Sequence, residues 1–138
     1  MKHFLIFIIL TPLLSFSQKS GDKKITFIVA DTNNLYQQIK IALVKNDFIV
    51  KEDGETKQLS TYPREFKKIP GYAIALAEIK GNEVILSGQY GLVKVDDFNY
   101  TRTPKSYKPI LYMKNGHGWK LLIQVVNSLN GKIISYSK

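Results

Sequence analysis

The chain has no cysteine. Disulfides, thiol catalysis, thiolate metal sites and a lipid-modified cysteine are all excluded, and the fold must be stabilised by its core alone. Histidine is almost as scarce: His3 lies among the first residues, and His117 stands alone between two glycines. A zinc site needs three or four donors, so a lone imidazole in a turn reads as an exposed polar residue. No serine occupies a nucleophile elbow, because Ser87-Gly88 lacks the required preceding glycine. Gly88-Gln89-Tyr90-Gly91 has the wrong spacing for a phosphate-cradling loop and precedes no helix. No cofactor and no metal are expected.

Acid is missing from one end of the chain. All 11 Asp and Glu lie at or before Asp97, whereas residues 98–138 hold Arg102, Lys105, Lys108, Lys114, Lys120, Lys132 and Lys138, within a formal net charge of +9. Such an asymmetry points to an anionic partner. The plainer alternative is a basic surface that only keeps the protein soluble.

Long apolar runs are also lacking. Phe4 to Leu10 falls well short of the roughly 20 residues a spanning helix needs, and Pro12 follows it. Met1-Lys2-His3, that short run, and the small residues Ser15 and Ser17 match a secretory signal cleaved after Ser17. The expectation is a signal peptide over 1–17 and a single domain over 18–138, periplasmic or secreted, with no transmembrane anchor after cleavage. A domain of this size buries roughly two-thirds of its unfolded surface without staples.

The remaining pattern is that of an α+β fold. Ile25, Phe27 and Val29 alternate with Thr26, Ile28 and Ala30 as in a half-buried strand. Asp31 and Thr32 offer cap oxygens to a helix whose apolar stripe is Leu35, Ile39, Ala42 and Leu43. Asn46 is a natural stop, and Phe48 to Glu52 resumes a strand. Asp53-Gly54 then reads as a hairpin turn into Thr56 to Thr61. The acids Glu52, Asp53 and Glu55 lack the regular ligand spacing of a calcium loop. Tyr62 to Gly71, with Pro63 and Pro70, reads as a connecting loop. Tyr72 to Ile79 and Glu83 to Tyr90 form a second hairpin about Gly81-Asn82.

Grouping Tyr72, Ile74 and Leu76 with Ile25, Phe27, Val29, Phe48, Val50 and Leu59 gives one strongly apolar face, expected under the helices. The opposite face then carries Ala73, Ala75 and Ala77 with Ser60, Ser87 and Gln89. Gly91 to Val95 extends the strand, and Ile110 to Met113 reads as another short one. Trp119, Leu122, Val126 and Leu129 mark a second helix ended by Asn130-Gly131, before a terminal strand at Ile133, Ile134 and Tyr136. The expected order is β-α-β-β-β-β-α-β, an antiparallel sheet with two helices packed on one face.

This order resembles the TATA-binding-protein-like fold, as in small domains of the accessory lipoprotein of the outer-membrane barrel-assembly machine. Carrying the resemblance are Ile25 to Val29, then LYQQIKIALVKNDFIVKED, then GYAIALAEIKGNEVILSG, roughly Lys24 to Tyr90. The chain departs from the lipoprotein in lacking an acylated cysteine, and from the DNA-binding protein in its export signal and the absence of duplication. What the resemblance implies is the fold and an accessory role in the bacterial envelope.

Function is read from Asp96 to Lys114, where basic residues interleave with Phe98, Tyr100 and Tyr107. Stacking plus charge neutralisation is how such a stretch engages an anionic polymer. The expectation is a non-catalytic binding domain whose partner is an acidic envelope protein or an anionic glycan, with no nucleic acid partner. Arg102, Lys105, Tyr107, Lys108 and Lys114 are the expected partner-binding residues. Two alternatives stand beside it. One is a carrier of a small apolar ligand held between helices and sheet beside Tyr72 and Trp119. The other is a small hydrolase using Glu78, on the apolar side of its strand, or Asp96 and Asp97.

Overall fold

The Gly81-Asn82 pair places a two-residue loop between two ten-residue strands, and Gly81 takes the φ of 61° that such a turn requires. The computed structural model describes residues 17–52, 54, 57–94 and 103–138. The expected signal segment up to residue 16, Asp53, Glu55, Asp96, Asp97, Phe98, Tyr100 and Arg102 lie outside the described residues.

The elements are β1 (Lys24–Ile28), α1 (Leu35–Lys45), β2 (Gln58–Ser60), β3 (Arg64–Glu65), β4 (Gly71–Lys80), β5 (Glu83–Leu92), β6 (Lys108–Pro109), α2 (His117–Ser128) and β7 (Lys132–Ser137). They form one antiparallel sheet in the order β2-β4-β5-β1-β7, with β3 alongside β4 and β6 alongside β5. The fold is α+β, as the sequence pattern predicts. The helices are tied to each other where both end: the Asn46 side-chain amide donates to the Ala42 carbonyl and to the Ser128 hydroxyl at 2.8 and 2.9 Å.

The core corrects one expectation about the sheet. Ala73, Ala75 and Ala77 are the buried residues of β4, together with Ile25, Phe27, Leu59, Val84 and Leu86, and Tyr72, Ile74 and Leu76 are half-buried on the other face. The alternation is right and its phase is inverted. The strand pairing fixes the phase: Ala77 stands beside buried Leu86, and Ala75 beside Gly88. The packing gives the reason. A Cβ added at Gly88 would lie 2.8 Å from Ile110 and 3.3 Å from Leu122 of α2, so the layer above this part of the sheet sits too close for large side chains. In β4 the small residues therefore face the helices, and its large ones lie on the open face.

Four local expectations also change. Phe48–Glu52 is not a strand; only Val50 bridges Thr61, flanked by bonds from Lys51 N–H to Ser60 and from Tyr62 N–H to Ile49. The chain leaves α1 through Asp47 at φ 64°, which turns Phe48 into the core, and the expected alternation holds, with Phe48 and Val50 buried and Ile49 exposed. Within the expected loop 62–71, Arg64 and Glu65 pair with Ala73 and Tyr72. The short strand expected over 110–113 falls at Lys108–Pro109, and β5 ends at Leu92.

At the start of α1 the cap is Asn34 in the left-handed conformation, with no side-chain cap bond. Asp31 instead accepts from the Asn33 N–H at 2.9 Å, and Gln38 reaches back to the carbonyls of Asp31 and Asn33. The end of α2 is as expected, with Asn130 left-handed and the Gly131 N–H closing on Val126.

One buried polar contact holds the edge of the sheet. Thr61 is fully buried, and its hydroxyl accepts from the Ala75 N–H at 3.0 Å. Burying a hydroxyl is tolerated only with such a partner.

Candidate functional site

The basic segment is held against the sheet. Gly91, on the open face beside Tyr72, is covered by Pro104 and Ser106: a Cβ there would meet the proline at 2.5 Å and the Ser106 carbonyl at 2.9 Å. Tyr107 follows, half-buried, and burial together with the neighbouring Tyr72 pushes its hydroxyl above the ordinary tyrosine range. Lys105 and Lys108 flank it and are exposed. Lys108 and Pro109 then pair with Tyr90 and Gln89 of β5, and the Ile110 N–H bonds Gly88, so the segment is anchored on both sides of its cations.

Lys114 stands in a different setting. The chain passes Asp22, whose carbonyl accepts from the Tyr112 N–H at 2.8 Å, and reaches the start of α2. There a hollow of about 360 Å³ is lined by Gln18, Lys114, Trp119, Lys120, Ile123 and Gln124, with Tyr112 and Met113. Trp119 is buried, packed edge-on against Tyr112 at 5.6 Å between ring centroids and tilted against Tyr136 at 6.0 Å. Of the five expected residues, Lys105, Tyr107 and Lys108 are therefore close in chain and setting, Lys114 belongs to the hollow, and Arg102 lies outside the described residues. The sequence marks Trp119 and Lys120 separately. That a helix start would set them in one wall with Gln18, a residue distant in sequence, has no local signal.

Ion pairing divides the cations. Lys40 pairs with Glu52, Arg64 and Lys67 with Asp47 at 3.3 and 3.2 Å, and Lys80 with Glu78 at 3.3 Å. Hydrogen bonds from Lys67 and then Arg64 hold the Asp47 carboxyl below its ordinary range. The bond to Glu52 raises Lys40. Among the described residues, none of Lys105, Lys108, Lys114, Lys120, Lys132 and Lys138 makes an ion pair.

Of the two alternative sites, Tyr72 with Trp119 and the Glu78 setting do not assemble as expected, and Asp96 and Asp97 lie outside the described residues. Tyr72 lies on the open face and Trp119 on the buried side of α2, so the sheet separates them and they cannot enclose one ligand. Glu78 is likewise on the open face, its side chain 42% exposed and paired with Lys80, and not in an apolar setting. It borders a shallow depression of about 270 Å³ with Lys24, Ser60, Leu76, Ile85 and Ser87. Among the described residues no group of three or more His, Asp or Glu is placed to hold a metal ion. No described helix is long and apolar enough to cross a membrane.

No protein-family model, curated protein or solved structure matches the chain.

Proposed function

We propose that this protein is a non-catalytic binding domain of the bacterial envelope that engages an acidic partner, protein or glycan, through its basic C-terminal region. The observation that carries this reading is the division of the cations. In residues 40–80 four of the eight basic side chains, Lys40, Arg64, Lys67 and Lys80, are met by carboxylates, whereas among the described residues no lysine from Lys105 onward meets one. A carboxylate or sulfate supplied by a partner is what such a surface lacks. Long-range attraction to an acidic surface also raises encounter rates before any contact forms.

The seating of the segment adds to the argument. Ordering long basic side chains on a loose loop costs conformational entropy at binding. Pro104 on Gly91, and the strand bonds at Lys108–Pro109, fix that backbone in the free protein. Lys105 and Lys108 are thus held in place while remaining accessible to a partner.

The experiment is retention of partners from an envelope extract by the purified protein, at low and at high salt. A partner held at low salt and released at high salt is the expected result, because exposed charges are screened within about 10 Å at 0.1 M salt. If no partner is salt-sensitive, the basic half serves solubility alone.

A further inference from the structure

The wall of the hollow at the start of α2 includes Trp119, whose buried donor has nothing to donate to among the described residues. Trp119 is 3% exposed, and among the described residues its indole N–H has no hydrogen-bond partner. An indole nitrogen is a donor only, so only an acceptor can satisfy it, and a buried donor left unmet costs free energy. The polar side chains lining the hollow beside it bring no anion: Lys114 and Lys120 are exposed cations without an ion pair among the described residues, and Gln18 and Gln124 are neutral amides, that of Gln18 already donating to the Tyr136 hydroxyl at 2.9 Å. No carboxylate lines the hollow. The first turn of α2 contains no acid and has no side-chain cap, which leaves the partial positive charge of its free N–H groups unopposed.

We propose that this hollow takes a carboxylate-bearing sugar unit of an anionic glycan. The carboxylate is held by Lys114 and Lys120, with the indole N–H of Trp119 as a further donor once the unit is seated. Gln124, exposed, presents an amide that both donates and accepts as sugar hydroxyls require, and Gln18, whose amide nitrogen donates to the Tyr136 hydroxyl, adds its carbonyl oxygen as an acceptor. Met113, 67% exposed at the rim, offers an apolar surface to the ring face. This inference rests on the reading that the basic region takes an acidic partner, and narrows that partner to a glycan. A uronic-acid unit carries its carboxylate, hydroxyls and an apolar ring face together on one ring, which is what the lysines, the Gln124 amide and exposed Met113 offer side by side; a peptide is the alternative that the poly-glutamate titration tests.

Trp119 is the only tryptophan of the chain, so its emission reports on the hollow directly. The purified protein is titrated with a uronic-acid oligosaccharide, with its carboxyl-reduced neutral counterpart, and with a poly-glutamate peptide; binding is followed by tryptophan emission and by calorimetry. The expected result is a saturable emission change with the acidic sugar alone. It weakens at least about tenfold in Lys114→Gln/Lys120→Gln, as loss of charge-assisted bonds requires. Lys105→Gln/Lys108→Gln changes it less. Both lysines of the hollow are exposed, so the variants keep the fold, and an unaltered circular dichroism spectrum verifies it.

Three results overturn the inference and separate it from the broader reading. Acidic-sugar binding by calorimetry with silent emission and no dependence on Lys114 and Lys120 places the glycan elsewhere, leaving the acidic-partner reading intact. An emission response to poly-glutamate and none to the sugar makes the partner a protein. Calorimetric silence with every acidic ligand at low salt removes both readings.

Discussion

Pro104 sits on Gly91, and the contact leaves no room for a side chain: a Cβ on the glycine would stand 2.5 Å from the proline Cβ and 2.7 Å from its Cγ. The basic segment is thereby seated on the sheet beside Tyr72, and the geometry of Lys105 and Lys108 depends on a residue that carries no charge.

Gly91→Ala is expected to lift the segment. Overpacking of this kind costs about 1–3 kcal/mol, measurable as a lowered urea midpoint. Retention of an acidic partner should fall with it although every lysine remains. Unchanged stability would mean that Pro104 moves aside freely and the seating is weak.

The phase of β4 is tested by substitutions on its two faces. Ala75→Leu forces a large side chain under the helices and should destabilise by about 1–3 kcal/mol. Leu76→Ala, on the half-buried open face, should cost less than about 2 kcal/mol, below the usual range for a fully buried leucine. Thermal or urea unfolding gives both values. A neutral Ala75→Leu beside a severe Leu76→Ala would restore the phase that residue size suggests.

Thr61→Val keeps the shape and removes the acceptor for the Ala75 N–H. A buried donor left without a partner costs about 1–3 kcal/mol. Amide exchange at Ala75 should accelerate, and Thr61→Ser should retain most of the protection. Equal exchange in all three proteins would show the hydroxyl to be dispensable.

Asp47 supplies a pH dependence. Its carboxyl is held below the ordinary value of 3.8 by Lys67 and Arg64. The folded state therefore releases this proton more readily than the unfolded chain. The contribution is fully present above the unfolded value and is lost as pH falls through the folded one. An Asp47→Asn variant should lose less stability than the parent between about pH 5 and about pH 2. Carboxyl titration by NMR should place the Asp47 midpoint below 3.8, and a midpoint at or above it would contradict the ion pairs.

Much of the fold is legible in the sequence because its long elements carry their own signals. The stripe Leu35, Ile39, Ala42, Leu43 gives α1, Gly81-Asn82 gives the main hairpin, and Asn130-Gly131 ends α2. What misleads is residue size in β4. Tyr72, Ile74 and Leu76 outrank three alanines in apolar surface, yet burial is decided by the space left beneath the helices and by register against Leu86, neither of which is local. At Phe48–Glu52 the alternation is right, with Phe48 and Val50 buried and Ile49 exposed, but pairing is limited to the Val50–Thr61 bridge, and a pairing partner is not a local property. The cations of the candidate site could be read from the absence of acid after Asp97. Their division between the segment on Gly91 and the hollow at Trp119 arises only when Gln18, Tyr112 and α2 are brought together.

Binding of an acidic partner by the C-terminal lysines, which make no ion pair among the described residues, stands or falls on charge reversal. Arg102, Lys105, Lys108 and Lys114 are changed together to Glu, and retention on isolated envelopes is measured against salt for the variant and the parent. Retention of the parent should weaken steeply as salt rises, and the variant should show none at any salt. Equal retention of both proteins, with the same salt response, would contradict it.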